Sequence, residues 1–102
     1  MKIYIITNTT QIGNYTPSVF TKKENAVQWL KELAVENIKS AYEDELKEGF
    51  GEDDFDVNGN IERILEYASE NLDVEISDSK IEIYYADDSY NILQLFEVET
   101  EE

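Results

Sequence analysis

Val74-Glu75-Ile76-Ser77-Asp78-Ser79-Lys80-Ile81-Glu82-Ile83-Tyr84-Tyr85 alternates apolar and polar residues on both sides of Asp78-Ser79. Period two sends successive side chains to opposite faces of a strand, so this segment reads as two half-buried strands joined by a turn. A second turn signal, Asp87-Asp88-Ser89, precedes Ile92 or Leu93, Leu95, Phe96 and Val98. The carboxy-terminal third is therefore expected to be a three-stranded meander.

Upstream of Val74 the period changes. Ile61, Ile64, Leu65, Ala68 and Leu72 recur at helical spacing, and Asn58 or Asn60 is placed to cap that helix. Ala26, Val27, Leu30, Leu33, Ala34, Ile38, Ala41, Tyr42 and Leu46 form a second apolar stripe, which predicts one helix running to about Lys47. Thr21-Lys22-Lys23-Glu24 has the form of a capping box, in which the Thr21 hydroxyl accepts from the Glu24 amide and the Glu24 carboxylate reaches back. Gly49 and Gly51 are expected to end this helix, Gly49 as its C-terminal cap. Trp29 and Tyr42 are expected to complete the core.

At the amino end residues 2–7 alternate and read as a strand, followed by turn-prone residues from Asn8 to Asn14. Tyr15 to Phe20 forms a second strand, confined to an edge by Pro17 and paired with the first. The expected order is ββααβββ. That is a single α+β domain spanning residues 1–102, an antiparallel sheet with two helices packed on one face.

The composition fits a folded chain: 41% of its 102 residues are apolar and 12% aromatic, arranged periodically, which argues against acidic disorder. There is no cysteine, so neither a disulfide framework nor a thiolate metal site is available. A cytoplasmic address is the simplest expectation, with the apolar opening stretch too short for a signal h-region. No run approaches a membrane span, and no membrane partner is expected.

Charge divides the chain in two. Residues 1–42 hold five lysines and three acids, whereas residues 43–102 hold 21 acids and three bases, and the net charge is −16. A field of this kind opposes folding by self-repulsion and excludes free nucleic acid as a ligand. Its natural counterpart is a basic nucleic-acid-binding protein, whose groove is lined with Lys and Arg.

Catalysis is not expected. The chain contains no His and no Cys, which removes the commonest general base, the thiol nucleophile and most transition-metal sites. Paired carboxylates catalyse only when their surroundings drive their pKa values apart, and exposed acids are usually solvated.

Glu43, Asp44, Glu45, Glu48, Glu52, Asp53, Asp54 and Asp56 set eight acids against the single base Lys47 within fourteen residues. Carboxylates at helical spacing that continue into a loop lay negative charge along a ridge, as phosphates do along a strand. Phe50 and Phe55 lie inside the run and are either anchors of an interface rimmed by carboxylates or packing under the loop. A second candidate surface is the hairpin bearing Tyr84, Tyr85, Tyr90, Asp87 and Asp88, with Tyr84 and Tyr85 on opposite faces.

Asp54-Phe55-Asp56-Val57-Asn58-Gly59-Asn60-Ile61-Glu62 resembles the first nine positions of an EF-hand loop. Asp54, Asp56, Asn58 and the Asn60 carbonyl are the candidate ligands for Ca2+. The twelfth position, where a bidentate Glu closes the shell, is Leu65, with Glu66 one residue too late. An Asx-rich turn ending in a helix cap is the plainer reading, with no cofactor required.

Met1-Lys2-Ile3-Tyr4-Ile5-Ile6-Thr7, the helix start Val19-Phe20-Thr21-Lys22-Lys23-Glu24-Asn25-Ala26 and the closing Leu95-Phe96-Glu97-Val98-Glu99 carry a resemblance. They are similar to small proteins of phages and their bacterial hosts that share a "VFT-x-KE-x-A" helix start. In size and acidity the chain is also similar in type to anti-CRISPR and anti-restriction proteins, several of which are nucleic-acid mimics. With the acidic helix end and loop 43–56 as a phosphate-like ridge, the leading expectation is a phage-type inhibitor that occupies the cationic nucleic-acid groove of a defence nuclease such as a CRISPR effector, as monomer or homodimer. The alternatives are an immunity protein that neutralises a basic toxin nuclease and a Ca2+-binding module on Asp54 to Glu62.

Overall fold

The computed structural model describes residues 1–10, 12–14, 16–50, 61–85 and 89–100. They form an α+β domain with the elements β1 (Lys2–Thr10), β2 (Gly13–Asn14), β3 (Ser18–Phe20), α1 (Lys23–Ala41), α2 (Glu43–Phe50), α3 (Ile61–Asn71), β4 (Val74–Ile76), β5 (Lys80–Tyr84) and β6 (Tyr90–Glu99). The strands build one antiparallel sheet in the order β2-β1-β6-β5-β4, with β3 pairing the same edge of β1 as β2 does.

The meander β4-β5-β6 is the one that the period-two pattern predicts. Val74 faces Ile83 and Ile76 faces Ile81, while Ile81 faces Leu93 on the other side of β5. Ser77 closes the first turn, its amide and hydroxyl both donating to the Lys80 carbonyl. β6 pairs with β1 along the whole length of β1, in nine pairs from Lys2 opposite Glu99 to Thr10 opposite Asn91. The two ends of the sequence therefore meet at the sheet centre. Pro17 directly precedes β3, an edge position where its missing donor costs nothing.

One face of the sheet supplies Ile6, Leu93, Leu95, Ile81, Ile83 and Val74 to a core completed by the helices. From α1 come Ala26, Leu30, Ala34, Val35 and Ile38, and from α3 Ile64, Leu65 and Ala68. Among the nearest strand residues, Asn91 is the buried polar one, and it is satisfied. Its amide donates to the Asn8 side chain (2.7 Å), and its oxygen accepts from the Tyr85 hydroxyl (2.6 Å). A chain of this kind is stable in a core because each member has its partner.

Several expectations are corrected. The single helix to Lys47 is two helices broken at Tyr42, whose φ of −125° leaves the helical region. Tyr42 ends α1 by donating its amide to Ile38, and its carbonyl then accepts from Leu46 to begin α2. The helix start differs by one residue: Lys22 is the N-cap with no side-chain cap bond, so the Thr21–Glu24 box does not form. Gly49 lies inside α2 rather than capping it. Ala41 is exposed, and Val35, outside the expected stripe, is fully buried. Trp29 is 40% exposed, its ring tilted against Phe20 at 6.4 Å, so it covers the core margin instead of filling the core. The expected caps Asn58 and Asn60, and the turn residues Asp87 and Asp88, lie outside the described residues.

Candidate functional site

The acidic ridge begins where α1 stops. The Tyr42 hydroxyl donates to the Tyr84 carbonyl at the end of β5, and its ring lies 6.5 Å from that of Tyr85. Burial, then the nearby Asp73 and Glu45 carboxylates, push the Tyr42 phenol above the ordinary tyrosine value. This tether reaches across 42 positions of sequence at the residue where α1 ends. The new helix starts with Glu43, Asp44 and Glu45 in its first turn, where the positive end of the helix dipole favours carboxylates.

Among the described side chains of α2, Leu46 is fully buried and holds the helix to the core. Glu43, Asp44, Glu45 and Glu48 are all exposed. Lys47 lies 3.2 Å from Glu43 one turn away, an exposed pair of small energetic weight. The structure thus brings together Glu43, Asp44, Glu45 and Glu48 of the expected ridge on one short helix ending at Phe50. The side chain of Phe50, and Glu52, Asp53, Asp54, Phe55 and Asp56, lie outside what the structure describes. So do the expected Ca2+ ligands Asp54, Asp56, Asn58 and Asn60; among the described residues no cluster of three or more His, Cys, Asp or Glu is disposed to hold a metal ion.

A second acidic element was missed in the sequence. Glu62, Glu66 and Glu70 are exposed along α3 at intervals of four. The Tyr67 hydroxyl of the same helix donates to the Glu45 carbonyl (3.4 Å), which ties α3 to α2. Between α1, α3 and the β4–β5 turn lies a groove of about 530 Å3 with Val27, Leu30, Leu65 and Ile76 in its wall and Glu66 and Asp78 at its mouth. Lys31 and Glu62 form a 2.7 Å ion pair at the same groove. The four-residue spacing of the α3 acids was readable, but the groove depends on how α3 sits over β4.

The opposite face of the sheet carries different electrostatics. Glu75 of β4 and Glu82 of β5 are register partners, and Lys80 lies 3.3 Å from Glu82. A hydrogen bond between the two carboxyls raises the Glu75 pKa and lowers that of Glu82, as expected when one proton is shared by two adjacent acids. Tyr84, paired with Tyr90 on this face, is raised by desolvation and then by Glu82. The expected split of the tyrosines holds: Tyr84 takes the open face and Tyr85 packs against the core. No helix among the described residues is long and apolar enough to cross a membrane.

Compared with known proteins, the chain matches no family model, no curated protein and no solved structure.

Proposed function

We propose that the chain is a phage-type inhibitor that binds the cationic nucleic-acid groove of a defence nuclease such as a CRISPR effector, with α2 as its leading contact. The observation that carries this reading is the exposure of Glu43, Asp44, Glu45 and Glu48 on a helix anchored by Leu46. Four carboxylates and Lys47, which pairs with Glu43, leave three net charges over residues 43–48, roughly one per 3 Å of axis at a rise of about 1.5 Å per residue. Duplex DNA presents about one per 1.7 Å. A basic groove built for phosphates therefore meets a sparser run of charge of the same sign, held in place before contact. Preorganisation matters because ordering the ridge on binding would lower affinity.

The acids of α3 extend the field and steer encounter, and apolar contacts at the groove beside Ile76 add area without further charge. The chemistry needs no cofactor and no reacting group in this chain.

The test is a binding assay against purified CRISPR effectors and other basic nucleases, with rising salt and with competing DNA. Binding that salt weakens and DNA displaces supports mimicry. Binding insensitive to both rejects it in favour of a specific contact outside the nucleic-acid groove. Tight binding confined to a toxin nuclease would select the immunity reading instead.

A further inference from the structure

We propose that the outer edge of β4 is a docking site for an extended segment of a basic protein. The segment continues the antiparallel sheet as a further strand, with lysine or arginine facing Glu75 and apolar side chains entering the groove beside Ile76. Strand order ends at β4, and no described residue pairs with its outer side. The Tyr84 amide donates to the Asp73 carbonyl and the Ser77 amide to that of Lys80, so Asp73, Glu75 and Ser77 direct their backbone groups toward β5. Val74 and Ile76, the alternate residues, direct theirs outward. The Val74 amide donates to the Leu72 carbonyl, which leaves the Ile76 amide and the Val74 and Ile76 carbonyls to a neighbouring strand. When an extended peptide joins a sheet edge, main-chain groups of this kind give affinity and pockets for alternate side chains give specificity.

Each face selects one type of side chain. On the open face Glu75 is exposed and lies directly opposite Glu82, and like charges so placed are destabilising. Lys80 compensates Glu82 from 3.3 Å, and a guest cation would compensate Glu75 from the other side. The guest residue facing Glu75 belongs to a non-hydrogen-bonded pair, whose Cα atoms approach to about 4.5 Å, so its ammonium or guanidinium meets the carboxylate.

On the helix face Ile76, 39% exposed, lines the groove of about 530 Å3 with Val27, Leu30 and Leu65. The guest residue opposite Ile76 lies on the same face about 5 Å away, so an apolar side chain there covers Ile76 and enters the groove. Glu66 and Asp78 at the mouth disfavour an acidic guest. A second copy of this chain is a poor occupant, because edge-to-edge pairing of β4 would bring Glu75 and Asp78 against acids, a device by which exposed edges avoid self-pairing. This inference does not require α2 to be a contact.

The test is titration of the full chain, at physiological salt, with a synthetic peptide of about six residues in which lysine and valine alternate. Two controls carry the same charge: the same peptide N-methylated at its valines, whose amides face β4, and a peptide with its lysines and valines in separate blocks. The alternating peptide should bind at least tenfold more tightly than either control and should protect the Ile76 amide from hydrogen exchange. Glu75→Lys should weaken it at least tenfold, since like charges then face each other. Ile76→Pro removes an outward-facing amide that the β5 ladder does not use, and it should weaken binding similarly. Neutralising Glu43, Asp44, Glu45 and Glu48 should leave binding within a few-fold, so this site and the α2 ridge succeed or fail separately. Equal binding of all three peptides would mean attraction by net charge alone and would overturn the inference. So would binding unchanged by Glu75→Lys, loss of binding in the α2 variant, or no binding up to about 1 mM peptide.

Discussion

α1 and α2 are consecutive helices separated by one residue, and they are built for opposite purposes. Over nineteen residues α1 buries five side chains and balances three lysines, Lys23, Lys31 and Lys39, against Glu24, Glu32 and Glu36. Over eight residues α2 has Leu46 as its buried anchor, with four acids and one lysine around it. The first helix holds the fold together; the second is a short charged element whose described attachments are buried Leu46 and the Tyr67 bond to the Glu45 carbonyl. α2 carries its acids around a single described core residue, whereas α3 sets Glu62, Glu66 and Glu70 on a helix that also buries Ile64, Leu65 and Ala68.

The largest expected effect lies in α1. Ile38→Ala removes a fully buried side chain from the centre of the core and should cost about 2–5 kcal/mol in denaturant unfolding. Leu46→Ala should cost less, about 2–3 kcal/mol. It should also release α2 selectively, with hydrogen exchange accelerating at α2 amides before α1 amides. If both helices lose protection together, the separation drawn between them is wrong.

Tyr42→Phe cuts the tether at the break and should cost about 1 kcal/mol by leaving the Tyr84 carbonyl without this donor. Its pH dependence has a defined sign. The folded-state pKa of Tyr42 is raised, so its contribution is fully present below the ordinary tyrosine value of about 10 and is lost as pH rises through the folded value. Alkaline titration of stability should therefore be shallower in Tyr42→Phe. Some dependence should persist through Tyr84, whose pKa is raised as well.

The smallest effect on stability belongs to neutralising α2. Changing Glu43, Glu45 and Glu48 to Gln and Asp44 to Asn relieves repulsion but removes carboxylates from a helix amino terminus, two opposed terms. The melting temperature should shift by no more than about 2–4 °C, since the opposed terms keep the net change within about 0.5 kcal/mol.

The junction between α1 and α2 leaves no mark on the apolar pattern, for a physical reason. Ile38, Tyr42 and Leu46 follow at intervals of four, so the apolar phase runs unbroken through the junction. α1 ends at Tyr42, whose hydroxyl reaches the Tyr84 carbonyl, a contact made only once β5 is in place. The capping box failed for a local reason: overlapping polar residues at 21–24 offer several starts, and the Lys22 carbonyl, accepting from Ala26, makes the first bond. In Ile92-Leu93-Gln94-Leu95-Phe96-Glu97-Val98 both parities are apolar, so alternation alone could not choose between Leu95 and Phe96. The helices cover Leu93 and Leu95 and leave Phe96 and Val98 outside. Strand order in the meander was legible because Asp78-Ser79 and a clean period two agree. Of the expected acidic ridge, Glu43, Asp44, Glu45 and Glu48 could be read as exposed acids from composition. Their separation from the core-bearing helix could not.

The decisive measurement sets the two helices against each other in one binding assay. Two variants are compared with the unmodified chain on the same cationic nuclease: one neutralised at Glu43, Asp44, Glu45 and Glu48, the other at Glu24, Glu32 and Glu36. Binding should fall by at least tenfold in the α2 variant, with a reduced salt dependence, and should stay within a few-fold in the α1 variant. Equal losses from both helices, or undiminished binding by the α2 variant, would contradict the assignment of α2 as the contact ridge.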